Sequence, residues 1–149
     1  MPTSTVTQRM PCPAAVVFDL IHDYPRRLEW DTLLSEARLT RGHRQAERGA
    51  TSLCVGKGVL KVIGIETEYL VFRPGVLAAV KMINRPPFFA SFSASIRHQE
   101  QGAGSLVTYR LHFTARPAWL RWILHPVMRP LLRYETKKRL QALAVYLDR

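Results

Sequence analysis

PAWLRWILHPVMRPLLRYETKKRLQALAVYLDR, residues 117–149, is the stretch whose periodicity decides the fold. Met128, Leu132, Leu140, Leu143 and Leu147, with Thr136 in the one polar slot, recur at steps of four or three. That spacing is one stripe of an α-helix. No other part of the chain carries so long a helical pattern, and an apolar stripe must be buried on a second element. Trp119, Trp122 and Ile123 fall off the stripe, and Pro126 and Pro130 lie where the phase changes. Proline lacks an N–H and clashes with the preceding turn, so a break or kink is expected there. It would separate a C-terminal half that grips its partner from a Trp-rich lead-in.

Before Arg116 the pattern is one of short helices and strands. Residues 3–10 alternate weakly, with Val6 and Met10 on one face, as in an edge strand. Pro11 and Pro13 end it, and Pro13 suits the entry to a short helix, Ala14 to His22. Asp23 is placed to cap a second short helix, Tyr24 to Trp30, with Pro25 at its first position. Trp30 is expected at the boundary of core and solvent.

Six strands follow: Ser35 to Arg41, Ala50 to Val55, Leu60 to Phe72, Val76 to Ile83, Phe88 to His98 and Ser105 to Ala115. Polar, Gly- or Pro-containing turns separate them, among them Gly56-Lys57-Gly58 and Arg73-Pro74-Gly75. Ile63, Ile65, Thr67, Tyr69 and Val71 share one face of their strand, and Glu66 and Glu68 the other. Met82 faces inward on the next. Phe88, Ala90, Phe92, Ala94 and Ile96 oppose Ser91, Ser93, Ser95 and Arg97. Val107, Tyr109, Leu111 and Phe113 oppose Thr108, Arg110 and His112. Such alternation belongs to an antiparallel sheet with one face in water. The expectation is one α+β domain over residues 1–149: a seven-stranded sheet whose apolar face is covered by the C-terminal helix.

Composition narrows the partners. A chain of 149 residues can bury a sizeable core. No window reaches the roughly 18 apolar residues of a spanning helix, and no charged-then-apolar leader pattern opens the sequence, so a cytoplasmic protein is expected. The formal charge of +11 favours anionic partners. The basic residues are dispersed, as they would be if they served solubility alone, and no nucleic-acid-binding motif accompanies them, which points away from nucleic acid and leaves an anionic membrane surface as the candidate partner. Cys12 and Cys54 stand apart, without a CxxC, and read as reduced thiols packed as small hydrophobes. The five histidines show no metal-ligand spacing. No metal or cofactor is expected.

The run Pro13-Ala14-Ala15-Val16-Val17-Phe18-Asp19-Leu20-Ile21, then Asp23-Tyr24-Pro25 leading to Leu28-Glu29-Trp30, resembles the START-like helix-grip superfamily. That superfamily includes the polyketide cyclase/dehydrase and lipid-transport proteins and the birch-pollen-allergen type. The Gly-rich turn into Ser105-Leu106-Val107-Thr108-Tyr109 and the terminal Leu140 to Leu147 extend the resemblance over nearly the whole chain. Asp23-Tyr24-Pro25 with Trp30 is also similar to the coenzyme-Q-binding, ribosome-associating branch, from which Arg27 and Glu29-Trp30-Asp31 depart. The resemblance implies a curved sheet, two short helices after the first strand, a long helix on the concave face, and a hydrophobic ligand held between sheet and helix.

Under that implication Tyr69, Met82, Phe92, Tyr109, Phe113, Met128 and Leu132 are the expected ligand wall, supplying aromatic area, polar handles and adaptable methionines. The first functional reading is binding or carriage of a small hydrophobic or amphipathic molecule. A cyclase or dehydratase acting on a polyketide-like or aromatic substrate is an alternative. It would need an acid or base in the cavity, and Tyr69 and Tyr109 are the inward hydroxyl-bearing aromatics. Glu66, Glu68, Arg110 and His112 face outward unless a bulge reverses the parity. No Ser-His-Asp order, P-loop or carboxylate pair marks a catalytic residue. A third reading is a module that meets a membrane or ribosome through its basic surface. Trp119, Trp122 and Ile123 would pack as core, close the cavity as a lid, or touch a membrane. Arg121, Arg129, Arg133, Lys137, Lys138 and Arg139 would assist docking or form a solvated face.

Overall fold

The computed structural model describes residues 2–148; Met1 and Arg149, the ends of the expected domain, lie outside the described residues. Strand β1 (Thr3–Met10) leads through Pro11–Pro13 into helix α1 (Ala14–Ile21) and a 3-10 helix, Tyr24–Glu29. Then come β2 (Leu34–Thr40), β3 (Thr51–Gly56), a 3-10 turn at Gly58–Val62, β4 (Gly64–Arg73), β5 (Leu77–Met82), β6 (Phe89–Gln101) and β7 (Gly104–Ala115). A short 3-10 helix, Ala118–Leu120, runs into α2 (Arg121–Leu147). The strands form one antiparallel sheet in the order β1-β7-β6-β5-β4-β3-β2. Hairpin succession explains β2 to β7. The first strand closes beside the last, pairing from Thr3 with His112 to Met10 with Ser105. This is the expected α+β helix-grip architecture, with β1 on an edge.

Three register shifts bend the sheet, at Leu34/Glu36, Tyr69/Val71 and Phe89/Ser91. An extra residue in one strand twists it locally and reverses the faces beyond. Inward parity in β4 therefore holds through Tyr69 and then passes to Phe72, not Val71. Phe72 stacks edge-on against Phe18 and Tyr69, with centroids 5.1 and 5.4 Å away. In β6 the buried residue is Phe89 and Ala90 is exposed, opposite to the alternation. Gly58–Val62, expected as a turn and the start of a strand, is helical instead.

The stripe on α2 behaves as its spacing predicts. Thr136, Leu140 and Leu143 are buried. Leu140 and Leu143 join Val6, Met10, Val17, Ile21, Ile96 and Val107 in one core cluster. A second cluster of Phe18, Tyr24, Ala50, Tyr69 and Ala78 fills the space under α1. Of the break or kink expected at Pro126 and Pro130, the break is absent: α2 is continuous through both. Each proline lies on the exposed side and forgoes one intrahelical bond, so the carbonyls of Trp122 and Pro126 lose their i+4 donors. Trp30, expected at the boundary, is buried, and Asp23 makes no side-chain cap. The helix packs chiefly on β1 and β7 at one side of the sheet. The middle strands are left to face open space.

Candidate functional site: a cavity under α2

That open space is a cavity of about 400 Å³ between α2 and β3–β7. Most of its wall is apolar. Ile65 and Tyr69 come from β4, Ala78 and Val80 from β5, Phe92, Ala94 and Ile96 from β6, Tyr109 and Leu111 from β7, and Leu124, Met128, Leu131 and Leu132 from α2. Phe88 and Leu131 also line it while remaining 48% and 47% exposed, which places the mouth between them. Phe88 holds a left-handed backbone, φ 71°, which L side chains rarely adopt.

Of the expected wall, Tyr69, Phe92, Tyr109, Met128 and Leu132 line the cavity. Met82 does not; it ends β5, one residue past the last pair with β6, Lys81 with Ser93. Phe113 does not either. It is fully buried core, edge-on to Phe89 and to His125. Trp119, Trp122 and Ile123 lie outside the cavity wall and are 74%, 76% and 43% exposed, so they are neither core nor lid in this conformation. Glu66, Glu68, Arg110 and His112 keep their outward parity and stay out of the wall.

Two polar groups interrupt the apolar lining. The first is a hydroxyl chain. Tyr69 Oη lies 2.7 Å from His22 Nδ1 and 2.7 Å from Tyr24 Oη. Tyr24 donates to Ser52 Oγ at 3.1 Å, which lies 3.1 Å from Thr67 Oγ1. Each phenol has one proton. With Tyr24 donating to Ser52, Tyr69 must donate to Tyr24, and His22 must donate from Nδ1. Its Nε2 is then a bare acceptor, and that atom has no partner among the described residues. Burial, reinforced by Arg27 and His98, lowers the His22 pKa to about 3, so the ring is neutral at pH 7. Burial also pushes the Tyr69 hydroxyl well above its ordinary range, with the Tyr24 hydroxyl adding to it. The chain is thus a fixed row of neutral donors and acceptors, not a source of phenolate.

The second group is an ion cluster. Arg27 Nε and Arg139 Nη2 each reach Asp31 Oδ2 at 2.9 Å, and Arg139 Nε bridges both Asp31 oxygens at 3.1 Å. Burial alone would raise the Asp31 pKa, but Arg139 and Arg27 outweigh it and bring the carboxyl to about 2. Arg27 also donates from Nη1 to the Ile21 carbonyl, 3.2 Å away, and sits over the Trp30 ring at 5.1 Å. Arg139, expected on the basic outer face of α2, is turned inward. It lies three residues after Thr136 and one before Leu140, so the stripe carries it under the helix. Tyr24, His22, Arg27, Asp31 and Arg139 were not among the expected site residues. The Arg27–Asp31 spacing of i,i+4 and the place of Arg139 on the stripe were the available signals. Among the described residues no group of three or more His, Cys, Asp or Glu side chains could hold a metal.

The family model for polyketide cyclase/dehydrase and lipid-transport proteins matches residues 1–148. The chain belongs to this family. The polyketide cyclase/dehydrase-type fold is seen again in solved structures of low sequence identity. TTHA0849 from Thermus thermophilus superposes with a TM-score of 0.83 at 14% identity, covering 98% of this chain and 97% of that one. The Zhui aromatase/cyclase from Streptomyces sp. R1128 gives 0.83 at 11% identity over 99% and 93% of the two chains. A START superfamily protein from Mycobacterium smegmatis gives 0.76 at 9% over 99% and 98%. No curated protein sequence matches significantly. Arg27 and Asp31, where the sequence departs from the coenzyme-Q-binding pattern, are members of the buried ion cluster.

Proposed function

We propose that this polyketide cyclase/dehydrase-type protein binds a small hydrophobic or amphipathic molecule in the cavity beneath α2. The observation that supports this is the 400 Å³ space with a largely apolar wall, a volume in the range of small-molecule sites. Burial of apolar ligand surface would drive binding at about 25 cal/mol per Å². Leu132→Trp places an indole in the space. It is expected to weaken binding of the neutral fluorophore Nile red at least about tenfold, or about 1.4 kcal/mol, while far-UV circular dichroism is unchanged. Undiminished binding by a folded L132W would move the site elsewhere.

A cyclase or dehydratase is the second reading, favoured by the row of hydroxyls from Tyr69 to Thr67 along one wall. Such a row would meet a polyketide-like substrate's carbonyls by exchanging its internal hydrogen bonds for bonds to the substrate. Tyr69→Phe removes the hydroxyl at the His22 end of the row while keeping the ring. With a turnover in hand, it should lower kcat about 10²-fold or more. Unchanged kcat would leave the row a structural feature of a carrier. An anionic membrane surface is the partner we infer for the exposed tryptophans and their basic neighbours.

A further inference from the structure

The cavity has a polar end, and its chemistry is one-sided. Arg27, Tyr109, Thr136 and Arg139 line both the main cavity and a small void of about 10 Å³ beside it. Trp30 borders the same void, is buried, and its Nε1–H has no acceptor among the described residues. Every named group there can donate a hydrogen bond. Asp31 is the one carboxylate bound to the two guanidiniums among the described residues, and its side chain is fully buried. Arg27 uses Nε and Nη1, and Arg139 uses Nε and Nη2. Arg27 Nη2 and Arg139 Nη1 have no protein acceptor among the described residues. A buried and a largely buried cation with one anion between them leave an excess positive charge at this end.

Excess charge beside an apolar space is costly unless a counter-charge comes with the occupant. On the reading that the cavity binds a ligand, we propose that the ligand is an amphipathic anion. Its carboxylate or enolate-type oxygens would be received by Arg27 and Arg139, and its apolar body would lie along Phe92, Met128 and Leu132. Glu135 also lines the cavity but makes no ion pair among the described residues. It is partly exposed and holds neither guanidinium, which leaves the inner pair to the ligand. The two arginines select the head group, while the apolar wall supplies chain affinity common to acids and alcohols.

The test compares laurate with 1-dodecanol, the same chain with and without the charge, by displacement of Nile red at pH 7.5. Measurements in 1 M NaCl screen the basic surface, where the Debye length is about 3 Å. The wild type is expected to bind laurate at least about tenfold more tightly than dodecanol, and Arg139→Gln to cut that preference below about threefold. Arg139→Lys, which keeps the charge, should retain most of the preference. Equal affinity of the wild type for both compounds would overturn the anionic head while leaving the apolar site intact. So would a preference untouched in folded R139Q. If Nile red, laurate and dodecanol all fail to bind, the cavity reading falls and the head-group assignment with it.

Discussion

His98 shows how a single buried residue contributes to the response of the whole protein to acid. The alternation in β6 puts it inward, two residues beyond Ile96, and its ring meets Phe18 edge-on at 5.3 Å. Neither ring nitrogen has a partner among the described residues. Burial lowers its pKa from 6.5 to about 4; His22 falls to about 3, chiefly for the same reason. Both rings are neutral in the fold, whereas the unfolded chain takes up protons as pH drops below 6.5. Stability is therefore complete above that value and is lost as pH falls towards the folded-state values. Each histidine accounts for about 1.4 kcal/mol per pH unit in that window, or roughly 2 kcal/mol by pH 5. His98→Phe keeps the ring contact and removes two unpaired polar atoms. It should be as stable as the wild type or more so at pH 7.5, and lose about half as much stability by pH 5. Guanidinium denaturation at the two pH values measures this; an equally steep loss in the variant would clear His98.

At the scale of elements, α2 was the most legible part of the chain and also the part most incompletely read. Thr136, Leu140 and Leu143 were placed by periodicity alone, because a straight helix converts spacing directly into direction. The same spacing carried Arg139 inward, which its charge concealed. Strand faces were legible up to each bulge. Beyond Tyr69 and around Phe89 they were not, since a register shift depends on the neighbouring strand and leaves no local signature. Tyr24 and Arg27 lie in a 3-10 helix and Asp31 just after it; side chains three apart share a face there, but six residues are too few for that repeat to stand out. The prolines of α2 are the remaining exception. A proline inside a helix is less favourable than alanine by about 3 kcal/mol, yet the helix passes through two. Pro126→Ala would restore a donor to the Trp122 carbonyl on an exposed face, where no packing needs to adjust. A gain of about 1–3 kcal/mol in denaturant unfolding is expected. An unchanged midpoint would mean that the surroundings have offset the missing bond.

The whole molecule joins its cavity to one exposed flank. Ile123, Val127, Leu131 and Tyr134 recur at steps of four and three, forming a second apolar stripe on α2 that faces water. Leu131 belongs also to the cavity wall, so this stripe reaches the mouth beside Phe88. Trp119 extends it past the helix start, Trp122 lies beside it in the first turn, and Arg129, Arg133 and Lys137 form a neighbouring row. Apolar side chains with amphipathic tryptophans, flanked by cations, suit the interface of an anionic bilayer. Among the described residues no helix is long and apolar enough to cross a membrane. A contact made through this stripe would turn the mouth towards lipid. Vesicles of phosphatidylcholine with about one third phosphatidylglycerol should sediment the protein at low salt, and purely zwitterionic vesicles much less. Neutralised contacts contribute about 1 kcal/mol each and weaken with ionic strength. Trp119→Ala with Trp122→Ala should reduce partitioning at least about tenfold while leaving Nile red affinity intact, since neither ring touches the cavity. Binding that ignores salt and survives loss of both tryptophans would detach the flank from any membrane role. A salt-sensitive interaction that survives their loss would leave charge alone as its cause, and the mouth would then have no fixed orientation towards the bilayer.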